Sequence, residues 1–487
     1  MSTVRRPSSD PELRIPSPPA SRPAEVSPRA AAAARRLLRP IERFLHVQAA
    51  SGGVLLAAAA AALVLANSRY AAAYHHALEA PLGLTFGGAT VAVPLHFVVN
   101  DVLMTIFFFV VGLEIRREMH GGELSTPRRA ALPVAAALGG MLAPALLYAA
   151  LNRTSSGAPQ GWGVPMATDI AFAVGVLTLL GRRVPPALRV LLLALAVIDD
   201  VGSIVVIALF YSSGFRAGGL LLAGAGVALT LALQRSGVRR AVVYVVPGVV
   251  VWAGVLRSGI HPTLAGVAMG MLTPANTWYG PRRLVDAIRH AAARVSRGLS
   301  EGDPATLTVV DLAHERARID LGLREALSPA ERLQGTLHPW VAFGIMPLFA
   351  FANAGVTLGE RGARDALAVT GITAGIALGL TLGKPVGILV ATFVALRLRV
   401  AILPRGVRWR ELLVLGAVAG VGFTMAIFIA SLAFTDPSDL DQAKLAILAA
   451  SAFAGVAGLV AGWTLLPPSL VPAAASAAPD AERSDEG

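Results

Sequence analysis

From Pro186 to Tyr211 the chain is almost entirely Leu, Ile, Val and Ala, yet two adjacent aspartates, Asp199 and Asp200, stand in its middle. A helix over that run would be roughly 39 Å long at ~1.5 Å per residue, enough to cross a bilayer. A carboxylate near the bilayer centre costs on the order of 2.5 to 3.5 kcal/mol on insertion scales. Most of that cost is avoided when the group is protonated, holds a cation or lines a wet cavity. All three escapes point to the handling of protons or cations.

The rest of the chain fits a membrane setting. Of its 487 residues 55% are hydrophobic and 15% charged, where a soluble protein would carry about 25% charged residues. The apolar excess falls into blocks near the length of a membrane span, which predicts an all-α polytopic membrane protein. The absence of cysteine excludes disulfides, thiolate metal sites and cysteine nucleophiles. A net charge of +12 could suggest nucleic acid as a partner, but the arginines gather in alternate loops, which is a topology signal instead.

Twelve transmembrane helices are predicted, beginning near Ala49, Leu95, Arg129, Gly161, Pro186, Phe215, Val238, Gly259, His338, Ala368, Glu411 and Ala443. Basic clusters follow the second span (Arg116, Arg117, Arg128, Arg129), the fourth (Arg182, Arg183, Arg189), the sixth (Arg235, Arg239, Arg240) and the tenth (Arg397 to Arg410). The intervening loops hold few basic groups, so both termini are expected in the cytoplasm. Residues 1–46 and 468–487, rich in Pro, Ser, Ala and charge, read as disordered cytoplasmic tails. Between spans 1–8 (47–273) and spans 9–12 (338–467), residues 274–337 read as a cytoplasmic loop with surface helices such as Asp311 to Ala326.

Two spans carry matching interruptions. The fourth places Pro165, Thr168 and Asp169 within an apolar helix, and the eleventh has Gly416, Gly420, Gly422 and Thr424 at comparable depth. Glycines alone would only permit close helix packing. Paired interruptions at corresponding places in two halves point instead to a binding site built on discontinuous helices. The tenth span adds Lys384, although the chain otherwise uses arginine for its positive charges, with 40 Arg against two Lys. A buried lysine, unlike arginine, can lose its proton.

Neighbours on a helix diverge by ~100°, so Asp199 and Asp200 cannot both face one point. One can meet Lys384 while the other faces a cation pocket with Thr168 and the broken backbone. Such hard oxygen ligands suit Na⁺ or Li⁺ better than soft metals. Half-helices also leave dipole ends inside the bilayer, for which Asp169 and Lys384 have the right signs to compensate; Asp169 as a direct ion ligand is the competing role.

These stretches resemble the NhaA-type sodium/proton antiporter family. The likeness is carried by Ala167-Thr-Asp-Ile-Ala-Phe, Leu195-Ala-Val-Ile-Asp-Asp-Val-Gly-Ser, Leu382-Gly-Lys-Pro-Val-Gly-Ile and Gly422-Phe-Thr-Met-Ala-Ile-Phe, together with Asn100-Asp-Val-Leu-Met and Val111-Gly-Leu-Glu-Ile-Arg-Arg-Glu. It spans roughly His46 to Leu466 and implies an inverted-repeat fold with two discontinuous helices crossing near the membrane midplane, an architecture for which this family is a known example. It further implies electrogenic exchange of cytoplasmic Na⁺ or Li⁺ for external protons in a bacterial inner membrane, with no enzymatic activity, no cofactor and a homodimeric state. Asp200 would be the cation and proton carrier, with Asp199 beside it, Thr168 assisting, and Lys384 paired with Asp199.

By the same resemblance Glu114, Arg117, His261, Arg332 and His338 match positions linked to the ion entrance or to pH response. Surface charges at a helix end would look the same as Glu114 and Arg117, and His261 reads as well as a packing residue. One departure stands out: in Glu331-Arg-Leu-Gln-Gly-Thr-Leu-His, Gln334 and Gly335 replace an ionisable Glu-His pair. That predicts a shifted or weaker pH response. The same residues leave two other functions open. A sodium-coupled organic solute symporter of related fold would need a larger cavity. An intramembrane aspartyl protease would need Asp169 to face Asp200 and share a proton with it.

Overall fold

The computed structural model describes residues 50–86, 89–153, 158–212, 214–238, 240–275, 289, 293, 328–357 and 370–467. The two expected tails and most of the expected 274–337 loop, including Asp311 to Ala326, lie outside the described residues.

Helix α1 (Ala50–Ala66) is followed after a sharp bend of 115° by α2 (Ala71–Glu79). Then come α3 (Leu95–Gly121) and α4 (Pro127–Leu151), a 3₁₀ stretch (Pro159–Met166), α5 (Ile170–Leu179) and α6 (Pro186–Phe210). Next are α7 (Ala217–Arg235), α8 (Val245–Ser258) and the short α9 (Thr263–Leu272). The chain closes with α10 (Pro329–Asn353), α11 (Gly371–Arg397), α12 (Trp409–Ala419), α13 (Phe423–Ala433) and α14 (Pro437–Leu465). Among the described residues eight helices are long and apolar enough to cross a membrane, and up to eleven when each bent pair is taken as one span. The ten-residue α9 occupies the place of the short eighth predicted span. The protein is a multi-pass helical membrane protein.

The broken spans are where the sequence placed them. The 3₁₀ stretch and α5 bend by 40° about residues 167–169, and α12 and α13 bend by 48° about residues 420–422. The two breaks touch: the Asp169 amide donates to the Val421 carbonyl at 2.8 Å. At the second break Gly420 and Gly422 have φ of −66° and −91°, which any residue adopts. Their value is closeness, since a Cβ on Gly422 would fall 3.2 Å from the Ala167 carbonyl oxygen. The strained residue there is Phe423, at φ +22°.

Small residues also let helices meet backbone to backbone. A Cβ on Gly387 of α11 would lie 2.6 Å from that of Ala143 on α4, and one on Gly383 would lie 2.9 Å from Pro144 Cα. A Cβ on Gly112 of α3 would sit 2.7 Å from the Val267 carbonyl of α9. Burial then ranks the helices: 61% of the α6 apolar window is buried inside the protein, against 22% for α7. Helix α6, which carries the aspartate doublet, is central; α7 presents mostly lipid-facing surface.

Two features differ from the sequence reading. Helix α10 begins at Pro329, not near His338, because Ser328 and Glu331 form a reciprocal capping box with Pro at the first turn. Between α2 and α3 lies an antiparallel hairpin, β1 (Pro81–Phe86) paired with β2 (Ala89–Pro94), with Leu82 opposite Val93. Among the described residues this hairpin is the one sheet in a set of helices. Two runs containing Thr and Val or Leu around Gly87-Gly88 were its sequence signal.

Candidate functional site

Helix α6 opens with Pro186 at its first turn and runs unbroken past Asp199 and Asp200 to Phe210. Both aspartates are buried, at 0% and 2% exposure. Lys384 is wholly buried as well, which removes any reading of it as a lysine reaching to the surface. It follows a π-helical turn, Gly379–Gly383, in α11. Its Nζ lies 2.9 Å from Asp199 Oδ2 and also donates to the Met166 carbonyl, at the C-terminal end of the 3₁₀ stretch.

Thr168 is also buried in this cluster. Its hydroxyl reaches Asp199 Oδ2 at 2.6 Å and the Ala419 carbonyl at 3.1 Å. With a single proton to donate, it serves one of these acceptors at a time. Thr168 therefore joins Lys384 on Asp199. Both groups occupy the same carboxylate oxygen; Asp199 Oδ1 is buried and has no hydrogen-bond partner among the described residues. No described residue donates to Asp200.

Asp169 caps two half-helices at once. Its Oδ1 accepts from the Phe172 amide at 3.0 Å, in the first turn of α5. Its Oδ2 accepts from the Thr424 amide at 3.2 Å and from the Thr424 hydroxyl, in the first turn of α13. Negative charge is thus placed at two helix N-termini, while Lys384 and Thr168 serve the carbonyl ends of the opposite halves. Ser451 of α14 takes the Phe423 amide at 3.0 Å. Sequence reasoning noted Thr424 only as a weak helix former, and missed Ser451 and the Met166 carbonyl. With both carboxylate oxygens engaged, Asp169 is not a free partner for Asp200, and the protease arrangement is not present.

The entrance residues divide into two groups. Glu114 of α3 is close enough to Asp200 to interact with it electrostatically, and its side chain is 16% exposed, not a surface charge. Arg117 lies 3.9 Å from Glu114 and 3.1 Å from Glu118. It also donates to Gln334 Oε1 at 3.1 Å, tying α3 to α10. His338 lies within electrostatic reach of Arg117, and Arg332 is on the first turn of α10. Gly335 is exposed with open space beside it.

His261 has its own contacts. It precedes α9, with Nδ1 2.8 Å from Thr263 Oγ1 and Nε2 3.8 Å from Asp101, and its ring stands edge-on to Phe428.

Crossed broken helices, with a buried lysine–aspartate pair and a second buried carboxyl beside it, define an ion-coupled membrane transporter. The sequence profile of the family described as Na⁺/H⁺ antiporter 1 matches residues 42–461. The chain is 54% identical to a Myxococcus xanthus protein named Na⁺/H⁺ antiporter NhaA 2, over 92% of this chain and 93% of that one. A Sorangium cellulosum protein of the same name is also 54% identical, over 93% and 96% of the two chains. An NhaA antiporter of Janthinobacterium is 47% identical over 91% and 97%. The chain belongs to the Na⁺/H⁺ antiporter 1 family.

Proposed function

We propose that this protein expels cytoplasmic Na⁺ or Li⁺ in exchange for external protons, serving sodium and pH homeostasis. One observation carries the reading: Asp200 is buried beside the Lys384–Asp199 pair, and no described residue donates to its carboxyl. A carboxyl held by nothing else can take either a proton or an alkali cation, not both at full strength. Competition for that group couples the two flows in opposite directions. Alternating access around the crossed breaks then presents it to each side in turn.

Asp199 and Lys384 supply a second proton-exchanging unit, because the ammonium can release its proton when the pair separates. Two protons in for one cation out makes the exchange electrogenic, so it draws on the membrane potential at about 2.3 kcal/mol per net charge per 100 mV. Asp169 and Lys384 balance the half-helix dipoles. Glu114 and Arg117 guide cations from the cytoplasmic side, and the Arg117, Gln334, Arg332 and His338 region modulates the pH response. The basic even-numbered loops support cytoplasmic termini in a bacterial inner membrane. A homodimer is in keeping with the β1–β2 hairpin, whose two strands each leave one edge open for pairing.

The test uses everted membrane vesicles with a preformed ΔpH. Added Na⁺ or Li⁺ dissipates it through the parent protein, and Asp200→Asn abolishes the response. Normal exchange by that variant would remove Asp200 from the site.

A further inference from the structure

The face of α6 that carries the aspartate doublet holds one more polar group. At ~100° per residue, Ser203 points about 40° from Asp199 and about 60° from Asp200, between the two and one turn closer to the Phe210 end. It is 1% exposed, and its Oγ has no hydrogen-bond partner among the described residues. Other hydroxyls within these helices behave differently. Thr178, Thr230, Thr381 and Thr464 each donate to the carbonyl four residues earlier, at 2.6 to 2.9 Å. A buried hydroxyl that forgoes this bond costs stability, and such a group calls for a purpose.

Beside it is a second oxygen of the same kind, since Lys384 and Thr168 both occupy Asp199 Oδ2 and leave Oδ1 unpartnered. Thr392 of α11 also lacks a partner, but its helix carries no carboxylate. The combination of an unpaired hydroxyl with an unpaired carboxylate oxygen occurs on α6.

We propose that Ser203 Oγ is a ligand of the transported alkali cation, binding it together with the Asp200 carboxylate. The inference rests on the antiport reading above. Residues three and four apart on a helix have Cβ atoms about 5–6 Å apart. One small hard cation bridges such a span with oxygen distances of roughly 2.0 to 2.6 Å. A hydroxyl contributes a neutral, hard oxygen, so it strengthens cation binding without adding a charge that would also attract protons. Ser203 thereby favours the cation over the proton in their competition for Asp200. Its place toward the Phe210 end puts it on the side of the doublet that faces outward in the expected topology.

The experiment measures KM and kcat for Na⁺ and Li⁺ by ΔpH dissipation, and Na⁺ binding to purified protein by calorimetry. Ser203→Ala and the nearly isosteric Ser203→Cys, whose soft sulfur is a poor ligand for a hard cation, are compared with Ser203→Thr, which keeps the hydroxyl. Loss of one ligand is expected to raise KM and weaken binding about tenfold, which corresponds to ~1.4 kcal/mol. The kcat should stay within about twofold, and Ser203→Thr should stay near the parent. Unchanged KM and binding in Ser203→Ala would overturn the proposal, as would equal impairment in Ser203→Thr. Parallel assays of the parent and Asp200→Asn separate the two claims: continued exchange by Asp200→Asn sinks the carrier assignment, whereas a parent-like Ser203→Ala sinks only this one.

Discussion

Lys384 Nζ and Asp199 Oδ2 lie 2.9 Å apart with no exposed surface on either side chain. A buried ion pair repays its desolvation only with additional hydrogen bonds, which Thr168 and the Met166 carbonyl provide. Lys384→Ala leaves a buried carboxylate unpaired and is expected to lower stability by about 3–5 kcal/mol. Neutralising both partners together, as Asp199→Asn with Lys384→Gln, should recover much of that loss. Thermal unfolding in detergent reads the difference. Transport offers a separate check: Asp199→Asn should make exchange insensitive to an imposed potential, and retained voltage sensitivity would argue against a proton-coupling role for the pair.

Asp169 faces three donors from two half-helices. An asparagine there would set its NH₂ against the Thr424 amide or the Phe172 amide, two groups that cannot turn to accept. Asp169→Asn is therefore expected to lower the melting temperature more than Thr424→Val, which removes only the hydroxyl contact. Loss of a single cap costs typically ~1 kcal/mol. Equal destabilisation by the two variants would mean the double cap is not what holds the crossing.

Close contact between α4 and α11 sets where Lys384 stands. Gly387→Val would push a side chain into Gly139 and Ala143. Overpacking of this kind costs typically about 1–3 kcal/mol, and here the shift is transmitted to Lys384 three residues away. Activity should fall more than expression. Gly224→Ala on α7, where a Cβ meets nothing within 4 Å, is the control and should behave as the parent.

Arg117 is tied to Gln334, a group that does not titrate. Gln334→Glu puts a carboxylate in that place and should add a pH dependence that the parent lacks. The ΔpH assay run across about pH 6 to 9 shows it as a changed profile. Superimposable profiles would mean the α3–α10 contact has no part in the pH response.

The spans, both breaks and the burial of Lys384 were legible because each is written in consecutive residues: apolar blocks, interrupted runs, one lysine between apolar flanks. Partnerships across the fold were less so. Adjacent aspartates must diverge, but nothing in their spacing says which one Thr168 will meet; a contact with a residue 31 positions away depends on how the broken spans cross. The double cap was hidden for the same reason, since Thr424 looks like any weak helix former until Asp169 is brought beside it. Local signals were also overlooked. Ser328 to Glu331 spells a helix start inside a polar segment, and the short runs on either side of Gly87-Gly88 are compatible with a hairpin.

Because one carboxylate seats the ends of α5 and α13 together, neither half-helix can tilt alone without stripping the other of its anchor. A transport cycle that moved α5 and α13 together would keep this shared anchor intact, whereas moving one without the other would break it.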